Sequence, residues 1–558
     1  MIIGLDVGGT HTDAVLLGQE GLVRQAKIQT NVENLFSCVL ASLNQITEGI
    51  SPQQIHRIVL STTLTTNAVV QQKMLPVGMI VSCGPGMDVF SFKTNEHYYR
   101  VDGSIDHRGR EIEAINIDMA EEIGEKLEKE GIRYIGIVSK FSVRNPQHEI
   151  KLYKLLEHRF EKIFLGHLCA GSLNFPRRIA TTYINASVYP LHRKFFNAVR
   201  NSLHEKGLTI PIDILKADGG TMRLSTSLDF PAQTILSGPA ASAMGVLATT
   251  PSSAEKIIAV DIGGTTSDIA LIINNSPVLE PVGISIASHK TLIRALETKS
   301  LGLGGDSWIQ VINGQLQIGP ERKGPAMAFG GTAPTPTDAM HVLGLMTTGN
   351  RQLALQGIHE IATCIGKSDL ETAQEIMELN CSLLLDEIRS FIDKINLKPV
   401  YTVRELLEDH RIFPQKIILI GGPAPYIAEI LRKQQSFFTI EVGNQHQTLN
   451  AIGAAVARTT CNVFLFVDTQ LGIAIAPEED FQQTIDETFT IEDALACAIS
   501  LIKKKALFMG AQEDIEIDVL EKNQFNIVRN FHTVGKTYRI HVQIRPGLLE
   551  NYDSILEK

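Results

Sequence analysis

The stretch IIGLDVGGTHTDAVLL begins at Ile2, and IIAVDIGGTTSDIALI begins at Ile257. The aligned aspartates, Asp6 and Asp261, stand 255 positions apart. Solenoid repeats recur every ~20–50 residues, so this repeat is on the scale of two whole lobes, each opening with the same element. A chain of 558 residues has room for both, because a single core stops growing near ~250–300 residues.

Each copy reads as strand, glycine turn, strand. The first holds Asp6, Gly8, Gly9, Thr10, Thr12 and Asp13; the second holds Asp261, Gly263, Gly264, Thr265, Thr266, Ser267 and Asp268. Paired glycines permit positive φ and let backbone N–H groups approach a ligand with no Cβ in the way. Successive N–H groups in such a turn form a nest for an anion. The threonine hydroxyls add donors for phosphate oxygens, and an aspartate at a strand end can hold Mg2+ through water. A tight hairpin needs only the glycines. The same polar residues recurring after equivalent apolar strands therefore argue for two phosphate cradles. No G-x-x-x-x-G-K-[ST] occurs, and GLGGDS at residues 302–307 fails the G-x-G-x-x-G spacing. A third piece, ILIGGPAPY, ends a strand in Gly421 and Gly422, where a flat aromatic base can lie against backbone. Taken alone it reads as the turn that starts a helix before Pro423; beside two phosphate hairpins it reads as a nucleoside-binding strand edge.

Hydrophobic residues at 44% and charged residues at 20% describe an ordinary globular chain. A net charge of −10 argues against a nucleic-acid partner, which calls for a basic stripe. The seven cysteines fall singly, with no C-x-x-C pair, so neither a zinc site nor a disulfide framework is expected. The N-terminal MIIGLDVGG lacks the basic region of a signal peptide. CNVFLFVDTQLGIAIAP is broken by Asp468 before it reaches membrane-spanning length. These features lead us to expect a cytoplasmic protein with no membrane partner.

The spacing predicts strands at RIVLST, LPVGMIVSC and IRYIGIVSK, and helices from about Asn31 and at NPQHEIKLYKLLEHRF. Asn31 can cap the first helix, whose face would hold Leu35, Cys38, Val39, Ser42, Leu43 and Ile46. A long helix is expected over about residues 370–395, a strand, turn and helix at QKIILIGGPAPYIAEILRK, and a small-residue helix at LNAIGAAVAR. Alternating strands and helices imply covered sheets, an α/β fold. The expected division is 1–185 for one lobe with the first hairpin, 186–476 for a second lobe with the second hairpin and the Gly421 turn, and 477–558 for a small α+β appendage. EDIEIDVLE and KTYRIHVQI alternate there like exposed strands.

Two duplicated lobes, a hairpin in each and a glycine turn in the second resemble the actin-like (ribonuclease H-like) ATPase superfamily. Within it, the order of STTLTTNAVVQQK, FSVRNPQHE, RRIATTYINASVYP, LKADGGTM, TILSGPAASAMG, SLGLGGDS, GPERKGPAMAFGGTAPTPTDAMHVLG and LIGGPAPY is similar to the A subunit of the hydantoinase/oxoprolinase family. That family includes N-methylhydantoinase and a related acetone carboxylase subunit. The resemblance covers roughly residues 2–460. It departs at LETKSLGLGGDS: Glu297 stands where the family usually has aspartate, Lys299 where it has histidine, and Asp306 where it has a third glycine.

The resemblance implies ATP and Mg2+ in a cleft between the lobes. It also implies phosphoryl transfer to a cyclic amide or carbonyl oxygen followed by ring-opening hydrolysis, and a B-type partner subunit; a homo-oligomer is left open. Asp6 and Asp261 are the candidates for metal and catalysis, and Glu297 for a base or metal ligand. Gly8, Gly9, Thr10, Thr12, Gly263, Gly264, Thr265 and Thr266 would hold phosphates, Gly421 and Gly422 the adenosine, and Gly304, Gly305 and Ser307 would add contacts. Thr62, Thr63 and Asn67 are candidates for the substrate side, against a competing reading in which their hydroxyls satisfy local backbone. Arg144 can pair with a substrate carboxylate or form a surface ion pair. An ATP-driven conformational machine or reactivating chaperone, and a small-molecule kinase, are the rival functions of such a scaffold.

Overall fold

The computed structural model describes residues 1–31, 34–71, 73–205, 207–250, 255–398, 411–511 and 515–552. Every residue of Ile2–Val7 is buried, as an inner strand covered on both faces requires. It lies in a six-stranded sheet ordered Thr221–Arg223, Ile212–Leu215, Arg57–Thr62, Ile2–Val7, His11–Gly18, Gly21–Gln29. Ile2–Val7 pairs antiparallel with His11–Gly18 and parallel with Arg57–Thr62. The second copy repeats this arrangement. Lys256–Ile262 pairs antiparallel with Ser267–Ile273 and parallel with Lys416–Ile420, with Thr439–Val442 beyond. The duplicated sequence is a duplicated α/β architecture, the two-lobed fold expected.

A parallel four-stranded sheet, Lys162–Leu165, Tyr134–Ser139, Gly78–Ser82 and Tyr98–Arg100, intervenes in the first half. The 31-residue helix Phe175–Glu205 leads from it back to the first sheet. The chain ends in an antiparallel sheet ordered Phe481–Thr484, Ile473–Ala476, Asn462–Asp468, His532–Gln543, Asp518–Arg529, packed on the helix Ile491–Met509. Among the described residues no helix is long and apolar enough to cross a membrane.

Three expectations shift. The boundary placed after residue 185 falls inside Phe175–Glu205, and Ile212–Leu215 returns to pair with Arg57–Thr62 in the first sheet. The boundary after residue 476 separates Ile473–Ala476 from its sheet partner Phe481–Thr484. Both misplacements have one cause: a strand can pair with one distant in sequence, which local composition does not mark. The first helix runs Leu35–Thr47, capped by Asn34 rather than Asn31, and Asn34 Oδ1 accepts from Ser37 N at 3.1 Å. The shift is close to one turn, so Cys38, Val39, Ser42, Leu43 and Ile46 are still the buried face.

Two helices of small residues join the lobes. Ser237–Thr249 packs against Ile257, Ala259 and Ala270 of the second lobe. Leu449–Val456 packs against Ile2, Val15 and Leu17 of the first. Glycines permit both contacts. A Cβ on Gly4 would lie 2.0 Å from Ala451 O, and one on Gly453 would lie 2.2 Å from Ala241 O and 2.3 Å from Gly245 N. Backbone meets backbone there, so no side-chain rotation relieves the clash. Gly453→Ala is expected to cost ~1–3 kcal/mol of stability, as overpacked cores do. Gly9→Ala, where nothing lies within 4 Å of the added carbon, should stay within ~0.5 kcal/mol. Urea unfolding followed by circular dichroism compares the two.

Candidate functional site

Each glycine turn closes with one backbone bond: Gly8 N donates to His11 O at 3.0 Å and Gly263 N to Thr266 O at 2.9 Å. Asp6 lies opposite Asp13 across the first ladder and Asp261 opposite Asp268 across the second, so each pair shares a face of its hairpin. The two hairpins meet at a single side chain. Asn450 Nδ2, on Leu449–Val456, donates to Asp261 Oδ2 at 2.9 Å and to Asp6 Oδ2 at 3.4 Å. Ser242 Oγ, on Ser237–Thr249, donates to Asp261 Oδ2 at 2.7 Å. Asp6 is buried, and its Oδ1 has no hydrogen-bond partner.

The glycines act through space rather than through positive φ, since none of Gly8, Gly9, Gly263 or Gly264 occupies the left-handed region. A Cβ on Gly8 would lie 2.9 Å from His11 O, and one on Gly264 would lie 2.7 Å from Asp306 Oδ2. Gly9 and Thr265 are exposed at the hairpin tips.

Negative charge is concentrated here. Burial pushes the Asp6 carboxyl up to about 6, with Asp13 and Asp261 adding to the shift while the Ser61 hydroxyl opposes it. Burial pushes Asp268 up to about 7, opposed by the Ser300 hydroxyl, with Asp261 adding to the shift. Burial also raises Asp13, offset by the Lys27 ammonium 2.8 Å away. Among the described residues no group of three His, Cys, Asp or Glu could hold a metal by itself. Mg2+ needs no such cage: it takes one or two carboxylates and fills its shell with water and phosphate. The open Oδ1 of Asp6 and the neighbouring Asp261 fit that demand.

The second hairpin is braced from behind. Gly305 N donates to Gly263 O at 2.9 Å, Asp306 N to Gly264 O at 2.7 Å, and Gly304 N to Ser307 Oγ at 2.8 Å. Gly305 and Asp306 therefore hold the hairpin in place, Gly304 and Ser307 close the supporting loop, and these N–H groups are already spent. The Gly421 turn adjoins them. Gly421 has φ +96, and a Cβ there would lie 2.2 Å from Ile262 O and 3.1 Å from Asp261 Oδ1. Gly422 has open space around it.

Other expected site residues sit differently. Thr12 is fully buried, its Oγ1 3.1 Å from Thr30 Oγ1, beneath the first hairpin. Thr63 lies beside that hairpin, but its N and Oγ1 both donate to Val7 O, at 3.1 and 3.2 Å. Thr62 Oγ1 accepts from Leu64 N, and Asn67 Nδ2 donates to Thr63 Oγ1 at 3.3 Å. Thr62 and Thr63 thus bond neighbouring backbone, and Asn67 bonds the Thr63 hydroxyl. Glu297 pairs with Lys398 at 2.5 Å, next to Glu280. Burial, with Glu280 adding, pushes Glu297 up to about 7. Its neighbour Thr298 pairs with Ala270, which sets Glu297 roughly 14 Å along the strand from Ser267 at ~3.4 Å per residue. Lys299 is held by Glu387 and Ser390. Arg144 lies against Phe466 of the C-terminal sheet. Sequence reasoning missed Asn450 and Ser242. Their signal was a polar residue within each small-residue helix.

These lobes, with facing hairpins and a glycine turn beside the second, define an actin-like fold. Residues 178–463 match the hydantoinase/oxoprolinase family and residues 2–160 its N-terminal region, so the chain belongs to that family. It is 24% identical to the caprolactamase subunit alpha of Pseudomonas jessenii over 75% of this chain and 64% of that one. It is 25% identical to the acetone carboxylase beta subunit of Xanthobacter autotrophicus over 71% of this chain and 63% of that one. The match thus spans less than two thirds of either relative. Its fold is similar to a nucleotide-free acetone carboxylase structure (TM-score 0.73, 19% identity, 99% of this chain and 88% of that one). It is also similar to the ATP-dependent caprolactamase of Pseudomonas jessenii (TM-score 0.71, 19% identity, 98% and 88%).

Burial raises Asp6 from 3.8 to about 6, so the folded chain binds this proton more tightly than the unfolded one. Stability is then lost as pH rises through that window, and the loss is complete above it. Asp6→Asn removes the buried charge. With metal and nucleotide chelated or absent, it should stabilise the protein by ~1–3 kcal/mol at pH 8 and scarcely at pH 4. Denaturant unfolding at the two pH values measures the difference.

Proposed function

We propose that this chain is the nucleotide-binding subunit of an ATP-dependent cyclic amide hydrolase of the hydantoinase/oxoprolinase type. The observation that carries the reading is the Asn450 amide, which ties the carboxylates of both hairpins to one point. Backbone N–H groups at residues 9–10 and 264–266 would take the phosphates, with Gly8 and Gly263 closing the turns that present them, and the open Gly422 turn would take the base. Asp6 and Asp261 would hold Mg2+, which when bound neutralises phosphate charge.

An amide or ketone carbonyl is a poor electrophile toward water. Phosphorylating its oxygen forms an oxygen–phosphorus bond, breaks the bond between the γ-phosphorus and the β–γ bridging oxygen, and releases ADP. Water then adds to the activated carbon, the C–N bond breaks with the proton going to the departing ring nitrogen, and a second water cleaves the resulting acyl phosphate to carboxylate and phosphate. Such transfer depends on positioning and charge neutralisation more than on covalent help. The helix pair Ser237–Thr249 and Leu449–Val456 supplies the positioning, because Ser242 and Asn450 fix the carboxylates from helices that touch through backbone. The relatives named as alpha and beta subunits support a B-type partner that completes the reaction.

Calorimetry with Mg·ATP is expected to give saturable binding to the wild-type chain and at least tenfold weaker binding to Asp261→Asn. ATPase turnover should rise with a hydantoin, 5-oxoproline, caprolactam or a ketone in the presence of the co-encoded B-type protein. Absence of nucleotide binding in the intact chain defeats the reading. Stimulation by a protein partner with no small-molecule dependence would replace it with a conformational machine.

A further inference from the structure

The second hairpin carries an ion pair at its tip. A Cβ on Gly264 would lie 2.7 Å from Asp306 Oδ2, and Arg322 Nη2 donates to that same oxygen at 2.7 Å. Arg322 Nε donates to Gly324 O at 3.1 Å, and its Nη1 donates to no acceptor among the described residues. A single carboxylate thus links the guanidinium to the glycine turn. An ion pair with a partly exposed member adds little to stability, and the Arg322 side chain is 30% exposed. The pair calls for a reason other than folding.

The hairpins themselves are rich in carboxylates and poor in cations. Asp6, Asp13, Asp261 and Asp268 all lie on them, and Lys27 is committed to Asp13 at 2.8 Å. The N–H groups of Gly264, Thr265 and Thr266 donate to no acceptor among the described residues, so the tip offers donors but no charge of its own. A polyphosphate arriving there brings further negative charge. Arginine meets phosphate with a planar fork of N–H donors, and such charge-assisted bonds are the strong ones. A phosphate carrying two negative charges also attracts a guanidinium more than a carboxylate carrying one does.

We propose that Arg322 is a phosphate-binding residue of the nucleotide site and that Asp306 is a built-in stand-in for the phosphate, holding the guanidinium at Gly264 until nucleotide takes it over. The inference rests on the reading of the hairpins as nucleotide cradles. Exchanging one anion for another keeps the guanidinium paired in both states. The chain's one tryptophan is placed to report the exchange. Trp308 N donates to Glu321 O and Gly319 N donates to Trp308 O, each at 2.9 Å, and Lys323 Nζ lies 3.2 Å from the centre of the Trp308 ring. Trp308 thus touches both chain neighbours of Arg322.

Calorimetry with Mg·ATP on the full chain and its variants tests this. Arg322→Met is expected to bind about tenfold more weakly than wild type, with Arg322→Lys in between. Asp306→Asn removes the stand-in and is expected to tighten binding about fivefold while Arg322 is present. On the Arg322→Met background that gain should fall below about twofold, the signature of two coupled residues. Trp308 emission should change as Mg·ATP saturates the wild-type chain. An equal gain from Asp306→Asn on both backgrounds would mean that the carboxylate merely repels phosphate, and it would overturn the proposal. So would wild-type affinity in Arg322→Met, or unchanged emission at saturation. Where Arg322→Met does not fold, Arg322→Lys and the emission decide. Absence of nucleotide binding in the wild-type chain defeats the reading of the hairpins, whereas binding without the coupling defeats this inference alone.

Discussion

The backbone contact between Gly453 and the segment from Ala241 to Gly245 sets the distance between the lobes. Any side chain at Gly453 would collide with Ala241 O and Gly245 N, so the two helices approach as closely as polypeptide allows. Ser242 and Asn450 lie within those same helices. Their reach to Asp261 and Asp6 therefore follows from the crossing. Separate the helices by the width of a methyl group, and the 2.9 Å hydrogen bond from Asn450 to Asp261 becomes too long to count as one. The interlobe geometry thus depends less on the size of the hydrophobic cores than on the absence of a few Cβ atoms.

That geometry holds a carboxylate arrangement which is unfavourable in the free protein. Asp6 and Asp261 share one amide donor, and Asp6 keeps an oxygen unsatisfied. Buried polar groups are ordinarily paired, and exceptions collect at functional sites, where strain is offset elsewhere in the fold. The stability that offsets it here comes from inner strands such as Ile2–Val7, buried along their whole length. A cation arriving with phosphates would relieve both the repulsion and the orphaned oxygen.

The duplication, the hairpins, the glycine turn and the strand and helix sequence of each lobe could be read from residue order, because each is a local pattern. Long helices were placed within a residue or two: the stretch expected at about 370–395 runs Asp369–Asn396. What resisted reading was non-local. Nothing near residue 212 announces that Ile212–Leu215 pairs with Arg57–Thr62, and nothing near residue 462 announces that Asn462–Asp468 pairs with His532–Gln543. Among the candidate site residues, the turns themselves were legible because glycines mark them. Thr12, Thr62 and Thr63 were harder to read, because a hydroxyl near a hairpin serves the fold as readily as a ligand. The direction of their hydrogen bonds depends on neighbours such as Thr30 and Val7. Asn450 was invisible for the opposite reason, since a single asparagine in LNAIGAAV carries no pattern until the helix is set against both hairpins.

The two hairpins share a sequence but not an environment. The tip of the first is open, with nothing near Gly9. The second is roofed: Asp306 Oδ2 would lie 2.7 Å from a Cβ on Gly264, and Arg322 binds that same oxygen at 2.7 Å. Burial raises Asp306 while Arg322 opposes the shift, so the pair is held together in a partly desolvated place. A phosphate over Gly264 would meet this carboxylate first, whereas one over Gly9 meets only backbone. Asp306 is also where the resemblance to the family leads one to expect glycine. Asp306 and Arg322 therefore give the two copies different surroundings. The first hairpin has an open tip, and the second, its Gly263 and Gly264 carbonyls bonded by Gly305 N and Asp306 N, carries Asp261 beside Gly421.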